Sequence, residues 1–174
     1  MRAGQDFYHF VELETGQLAV SVGEVPVNAT SARLFYARID GMAGELTYVN
    51  AGHECVLLVR FRPERVKQLE STEFRERTLP LESGDLLLAA THGVTDAANE
   101  TGRRWSVGGL LQAVMRNPNA NAAGMVREIM RSVNRFAAQS PPADDRTVVA
   151  VRFHGRGEQT ILADRTAEPV FAAA

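Results

Sequence analysis

The sequence predicts an α+β fold, a stacked antiparallel β-sandwich flanked by helices. Short runs of alternating or fully apolar character, separated by turn residues, fill the first half of the chain. Helical periodicity appears only afterwards, in two segments, and one last strand-like run closes the pattern. Strands first and helices later, without strand–helix alternation, points to segregated layers and not to a parallel doubly wound sheet.

Residues 7–13 are mostly apolar and aromatic, and Gly16 turns the chain into residues 17–25, so these runs read as a hairpin. Residues 26–31 are a short break. Residues 33–40 form a third strand, residues 41–44 a turn, and residues 45–50 a fourth strand. Ala51-Gly52-His53 makes a corner into residues 55–61, the fifth strand. Residues 66–69 and 74–79 are read as the sixth and seventh. The turn Glu82-Ser83-Gly84-Asp85 precedes residues 86–91, an apolar run with the character of a buried central strand. Ser106 is a candidate N-cap for a helix over 107–115, with Leu110, Leu111 and Val114 apolar and Asn117-Pro118-Asn119 as its stop. Residues 122–138 are the strongest helix. Met125, Val126, Ile129, Met130, Val133 and Phe136 make one apolar stripe, which is core against a sheet and not a cofactor box. Pro141-Pro142 breaks the chain before a last strand over 147–153. One domain over 1–154 follows, with 155–174 a tail.

With 45% hydrophobic residues the chain can bury a sizeable core. Its 19 basic and 21 acidic side chains give net charge −2, which speaks against nucleic acid or a membrane surface as partner. The arginines between 60 and 65, and Arg103-Arg104, are interleaved with acids and read as solvated faces. The single cysteine, Cys55, excludes an internal disulfide and a cysteine-rich zinc site, and reads as a buried structural thiol. No apolar run is long enough to span a membrane and no signal peptide is visible, so a cytoplasmic location is expected. The chain opens inside what reads as its first strand, as the C-terminal module of a longer gene product, or a trimmed piece of one, would.

Four short motifs carry the chemistry, each at the end of a β-type run: Gly4-Gln5-Asp6-Phe7-Tyr8-His9, Val22-Gly23-Glu24-Val25, Thr91-His92-Gly93-Val94-Thr95-Asp96 and Ala143-Asp144-Asp145-Arg146-Thr147. Groups far apart in sequence but all at strand ends can converge at one rim of a sheet. Oxygen and nitrogen donors gathered at a rim are how a site for a hard divalent cation is built.

In order and context these motifs, with Leu46-Thr47-Tyr48-Val49-Asn50-Ala51-Gly52-His53 and Gly84-Asp85-Leu86-Leu87-Leu88, resemble the SpoIIE-type branch of the metal-dependent protein phosphatases, the protein phosphatase 2C (PPM) superfamily. The resemblance runs from Gly4 to about Phe153. It implies a β-sandwich between helical layers (α-β-β-α), with two Mg²⁺ or Mn²⁺ ions at one rim. Their bridging hydroxide would attack a phosphoserine or phosphothreonine. The substrate class it implies is a bacterial signalling phosphoprotein, such as an antagonist of an anti-sigma factor. By the same resemblance Asp6 would serve one metal and Glu24 would bridge both. The Val25 backbone carbonyl would face the site, and His92 and Asp144 would complete the other metal. His9, Gly93 and Asp145 are secondary candidates. Asp145 alternates away from Asp144 on an extended chain and reads as a loop-ordering residue.

The sequence departs from that pattern. Positions 9 and 92 are His and position 24 is Glu where the family usually has Asp. Pro26-Val27-Asn28-Ala29 replaces a small Ser-Gly-x-Gly turn. Glu24 extends its carboxylate by about an ångström against a metal–oxygen tolerance of about 0.2 Å. His92 removes a negative charge and offers nitrogen, which Mn²⁺, Fe²⁺ or Zn²⁺ accept and Mg²⁺ does not. Glu24, His92 and Asp144 would then resemble a mononuclear centre with one histidine and two carboxylates. Set against these roles, His53 reads as a hydrogen-bonded corner residue, His9 as solvated or capping, His154 as solvent-facing and Asp96 as a cap.

The family also carries two long helices between its second and third strands. Residues 26–31 are too short for them, since a helix pair with its connection needs on the order of 30 residues. Its absence leaves an apolar sheet face to be covered by a second copy, by a partner or by the tail with Pro169-Val170-Phe171. Leu34, Tyr36 and Arg38, with Leu18, Val20 and Val22, are expected to supply that face. Two functional readings follow. One is a metal-dependent phosphatase with an altered site acting on a phosphoprotein. The other is a catalytically inactive pseudo-phosphatase that binds a regulatory protein. A third and weaker one is a mononuclear metal sensor using His92.

Overall fold

The computed structural model describes residues 5–13, 16–25, 31–138, 140 and 144–155. Gly4, residues 26–30, Pro141, Pro142, Ala143 and the residues beyond Gly155 lie outside the described residues.

Two antiparallel sheets stack on each other. The first has the order β1-β2-β3-β4-β7: β1 (Gln5–Glu12), β2 (Gln17–Val25), β3 (Arg33–Asp40), β4 (Glu45–Ala51) and β7 (Arg77–Pro80). The second has the order β6-β5-β8-β9: β6 (Glu64–Gln68), β5 (Cys55–Phe61), β8 (Leu86–Ala90) and β9 (Val148–Arg152). The sixth and seventh strands thus sit two or three residues from their expected starts. Arg62-Pro63, with a cis bond, makes the β5–β6 turn, and Glu73 and Phe74 adopt positive φ in a loop, not a strand.

Alternation decides which residues meet between the sheets. Leu18, Val20 and Val22 of β2, Phe35, Ala37 and Ile39 of β3, and Leu46 and Tyr48 of β4 point inward. They meet Val56 and Leu58 of β5, Leu87 and Ala89 of β8, and Val149 and Val151 of β9. β8 is buried at all five positions because it lies inside the second sheet and is covered on both faces.

The other face of the second sheet takes the helices: α1 (His92–Thr95), α2 (Ser106–Arg116) and α3 (Ala122–Ala137). Met125, Ile129 and Val133 of α3 and Leu110 and Val114 of α2 pack on Leu57, Val59, Leu86 and Leu88. Asn121 caps α3 by accepting the Gly124 N–H at 2.8 Å, and Ser106 Oγ accepts the Gly108 N–H at 3.3 Å.

The helices therefore cover one sheet, and the outer face of the first leaves Phe7, Val11, Leu34 and Tyr36 exposed at 37–43%. Leu18, Val20 and Val22 do not belong to that face. Across the β2–β3 ladder Tyr36 pairs with Ser21, Leu34 with Gly23 and Arg38 with Ala19, and directly paired residues share a face. Gly23 is where Phe7, its partner across β1–β2, lays its ring: a Cβ there would meet Phe7 Cζ at 2.1 Å. The arginine-rich segment is not wholly a solvated face either. Arg60 makes a two-point contact with the buried Asp85, Nε to Oδ1 at 2.9 Å and Nη2 to Oδ2 at 2.8 Å.

Candidate functional site

Antiparallel pairing brings the motifs to one rim. Asp6 at the start of β1 is the direct partner of Glu24 at the end of β2, and Glu24 is the direct partner of Arg33 at the start of β3. In the second sheet Cys55, Ala90 and Val148 are aligned in the same way, so the β4–β5 corner, the β8–α1 junction and the entry to β9 stand at one end. Thr91 joins the two halves. Its Oγ1 donates to Asp6 Oδ2 at 2.6 Å and accepts the Thr147 N–H at 3.0 Å.

Glu24 is buried at 4% exposure, and a buried carboxylate must be partnered. His92 supplies two donors, its backbone N–H to Oε2 at 3.0 Å and its ring Nδ1 to Oε1 at 2.5 Å. The other ring nitrogen, Nε2, lies 2.9 Å from Glu54 Oε2. A ring that serves carboxylates through both nitrogens is the doubly protonated imidazolium. Arg33 completes the group. Its Nη1 is 3.3 Å from Glu24 Oε1, and its Nη2 is 3.6 Å from Glu54 Oε1. Nη1 also lies 3.0 and 2.9 Å from the two His92 ring nitrogens, a position over the ring and not in its plane. Two cations and two anions close on one another.

The titration of these groups follows. Burial pushes the Glu24 carboxyl up, but the ring and backbone hydrogen bonds from His92 outweigh it and hold the pKa at about 2. The hydrogen bond to Glu24 raises His92 to about 9 against the pull of burial, with Glu54 adding to the rise. Asp6 lies outside the quartet. Burial pushes it up to about 6, opposed by hydrogen bonds from Thr91 and Thr147, and the charges of Glu24 and Asp145 add to the rise.

Asp6, Glu24 and His92 thus come together. Asp144 is not joined to them by any hydrogen bond or ion pair among the described residues: its Oδ1 accepts the Asp145 N–H at 2.9 Å. Asp145 is the one whose charge reaches Asp6. Gly93 sits against the Asp144–Asp145 backbone. Val25 is exposed at the end of β2. His9 faces away, since Asp6 and Tyr8 point inward while His9 lies with Phe7 on the exposed side of β1. Asp96 receives Arg104 Nη1 at 3.1 Å.

His53 is only 2% exposed, and neither ring nitrogen has a hydrogen-bond partner among the described residues, so the ring is not the hydrogen-bonded corner residue expected. Asn50 holds that corner. It accepts the His53 N–H at 2.8 Å and donates to the carbonyls of His53 and Leu69 at 2.8 and 2.7 Å. Burial, the largest influence, pushes the His53 pKa down. Arg33 and Glu54 were not singled out from the sequence. The only signal was position: Arg33 begins the strand beside Glu24, and Glu54 follows His53 at the same rim.

As arranged, this donor set does not fit a pair of divalent cations. Glu24, expected to bridge them, gives its oxygens to His92 and Arg33, and among the described residues no three His, Cys, Asp or Glu side chains are gathered so that they could hold an ion.

Proteins of known structure share this two-sheet fold. The SiaA-PP2C domain of Pseudomonas aeruginosa superposes with TM-score 0.71 at 15% identity, covering 87% of this chain and 81% of that one. The PP2C phosphatase domain of SpoIIE from Bacillus subtilis, with a fragment of its regulatory domain, superposes at 0.66 and 15% identity, covering 85% and 58%. At such identities the likeness shows the fold. In sequence, Protein IcfG of Synechocystis is 28% identical over 154 residues, 83% of this chain but 24% of IcfG, so the chain spans about a quarter of that relative's length. The family model for stage II sporulation protein E matches residues 12–154, from the end of β1 through β9. The chain, whose fold is that of the PP2C domains above, belongs to the family of stage II sporulation protein E.

Proposed function

We propose that this domain has lost metal-dependent hydrolysis and works as a regulatory, protein-binding member of its family. The observation that carries the reading is the closure of Glu24 on His92 and Arg33. Hydrolysis of a phosphoester at such a rim needs cations that activate water and screen the phosphoryl charge. A carboxylate neutralised by the protein's own cations has little attraction left for a dication.

The partner is a signalling phosphoprotein of the anti-sigma-antagonist class, met in the cytoplasm. The exposed side of the first sheet, with Phe7, Val11, Leu34 and Tyr36, supplies apolar area for that partner, or for a second copy of the chain. No helix among the described residues is long and apolar enough to cross a membrane, and the net charge of −2 does not favour nucleic acid.

One observation favours a second reading, a weak phosphatase using Mn²⁺ or Mg²⁺. Asp6 carries a raised pKa, from burial first and then from the charges of Glu24 and Asp145, and a cation beside its carboxylate would offset both. Hydrolysis of p-nitrophenyl phosphate and of a phosphoserine peptide, with Mn²⁺ and Mg²⁺ in excess, separates the two. Turnover equal to that of Asp144→Ala is expected. Turnover that Asp144→Ala or Asp6→Asn abolishes establishes the phosphatase instead.

A further inference from the structure

We infer that the free edge of β1 is a self-association site: β1 of one copy pairs antiparallel with β1 of a second, centred on Tyr8, and joins the two first sheets into one. The inference stands apart from the loss of hydrolysis proposed above.

The edges of the two sheets are not alike. β7 is four residues long, begins with Arg77 and ends with Pro80. β6 is exposed throughout and carries Glu64, Arg65 and Lys67. β9 has α3 packed against it. Shortness, charge, proline and a covering helix are the usual means by which an edge is kept from pairing. β1 is eight residues long, holds Phe7, Tyr8, Phe10 and Val11, and contains no Lys, Arg or Pro. Among the described residues β2 is the only strand it pairs with.

The register shows which backbone groups face outward. The Leu13 N–H donates to the Gln17 carbonyl at 3.1 Å, and the Gly41 N–H to the Gly16 carbonyl at 2.7 Å. These bonds extend the β1–β2 and β2–β3 ladders, so the odd-numbered residues of β1 bond to β2 and the even-numbered residues of β2 bond to β3. Asp6, Tyr8 and Phe10 therefore turn their N–H and C=O groups to the open edge. Their side chains point inward yet are only half-buried, as the last residues of a sheet are when no strand lies beyond them.

A second β1 matches these groups. Pairing Tyr8 with the partner's Tyr8 keeps inward side chains opposite inward ones, as continuation of the sheet requires. It sets Asp6 opposite the partner's Phe10 and, on the outer face, Phe7 opposite the partner's His9 and Gln5 opposite the partner's Val11. Aromatic pairs stand at the centre and no like charges meet. Centring on His9 would also match the faces, but it sets Asp6 opposite the partner's Glu12. Centring on Phe10 sets Phe7 opposite the partner's Leu13, which lies beyond the end of β1. In the Tyr8 register Asp6, Tyr8 and Phe10 all exchange hydrogen bonds with the partner, and the contact is its own mate, as a two-fold dimer demands.

The test is sedimentation equilibrium of the full chain, together with disulfide trapping. The wild type is expected to associate to a dimer as its concentration rises. His9→Lys with Val11→Lys charges two exposed positions of the edge and should weaken the dimer at least about tenfold. Leu34→Lys with Tyr36→Lys, on β3 and away from the edge, should leave the dimer intact. For the trap, Gln5→Cys and Val11→Cys are oxidised singly and as a mixture. Facing residues of a non-hydrogen-bonded antiparallel pair stand about 4.5 Å apart at Cα, within reach of a disulfide. The mixture should give a covalent dimer and neither variant alone should, since the native thiol, Cys55, is buried. Should the lysine variant lose its fold, the trap decides. A wild type that stays monomeric, association that the edge lysines leave unchanged or that Leu34→Lys with Tyr36→Lys removes, or trapping of Val11→Cys alone as readily as of the mixture overturns the inference.

Discussion

Gly93 lies so close to Asp145 that a Cβ at position 93 would stand 1.8 Å from the Asp145 carbonyl oxygen and 3.1 Å from that of Asp144. The glycine in Thr-His-Gly-Val-Thr-Asp is therefore a matter of space: α1 meets the segment entering β9 backbone to backbone. Arg146 Nε, donating to the Gly93 carbonyl at 3.2 Å, fastens the contact from the other side. The atom in the way is main chain, so no side chain can move aside to make room. Gly93→Ala is expected to lower stability by roughly 1–3 kcal/mol, the usual range for overpacking. Urea unfolding followed by circular dichroism measures it, and an unchanged midpoint contradicts the close approach.

The His92–Glu24 pair predicts a pH profile. The pKa of His92 is raised from 6.5 to about 9. Its contribution to stability is therefore complete below pH 6.5 and is lost as pH rises through about 9. Glu24 is lowered from 4.5 to about 2, so its contribution is complete above pH 4.5 and is lost as pH falls through about 2. The alkaline limb belongs to His92. A decline in urea midpoint between pH 6.5 and 9 is expected in the wild type. His92→Gln should start lower and show no decline there.

Asp6 works in the opposite sense. Its pKa rises from 3.8 to about 6, so the carboxylate disfavours folding once ionised, and the loss develops as pH climbs through that interval. Asp6→Asn keeps an oxygen for the Thr91 hydroxyl and removes the charge facing Glu24 and Asp145. After allowance for solvent screening, a gain of about 1–2 kcal/mol at pH 7 is expected, with none at pH 3.5. A variant less stable than wild type at neutral pH would show that the ionised form has a partner unaccounted for. A gain would mark Asp6 as an acid kept at the expense of stability, as residues of functional sites often are.

The succession of strands along the chain, the hairpin, the buried central strand and the α3 stripe were legible in the sequence because periodicity and turn residues are local signals. The faces were harder. Leu18, Val20 and Val22 alternate just as Leu34, Tyr36 and Arg38 do, and only the register, Ser21 opposite Tyr36, tells that the first set is core and the second is surface. The rim was legible through Asp6, Glu24 and His92. Arg33 and Glu54 carried no signal beyond their position, because an arginine opening a strand and a glutamate after a corner are ordinary until the fold brings them within a few ångströms of His92.

Cys55 offers a test of the second sheet. It is buried at the start of β5, and burial pushes its thiol up to about 12. At pH 8 about one thiol in ten thousand would be ionised, and the thiolate is the reactive form. Labelling by a disulfide reagent is expected to be negligible in the native protein and prompt in denaturant. Rapid native labelling would mean that this end of the second sheet opens readily.

The outer face of the first sheet makes the last prediction, and it separates surface from core. Tyr36 is 42% exposed and Leu34 37%, and both stand over small partners, Ser21 and Gly23. Replacing both with Lys removes apolar area that water already reaches, so the urea midpoint should move by no more than about 0.5 kcal/mol. If this face binds a second copy of the chain, the same variant should sediment as a monomer where the wild type associates. If it binds another protein, both should sediment alike, and only the wild type should retain that protein. A large loss of stability would instead place these residues under cover within the folded chain, and the face could not then be the docking surface.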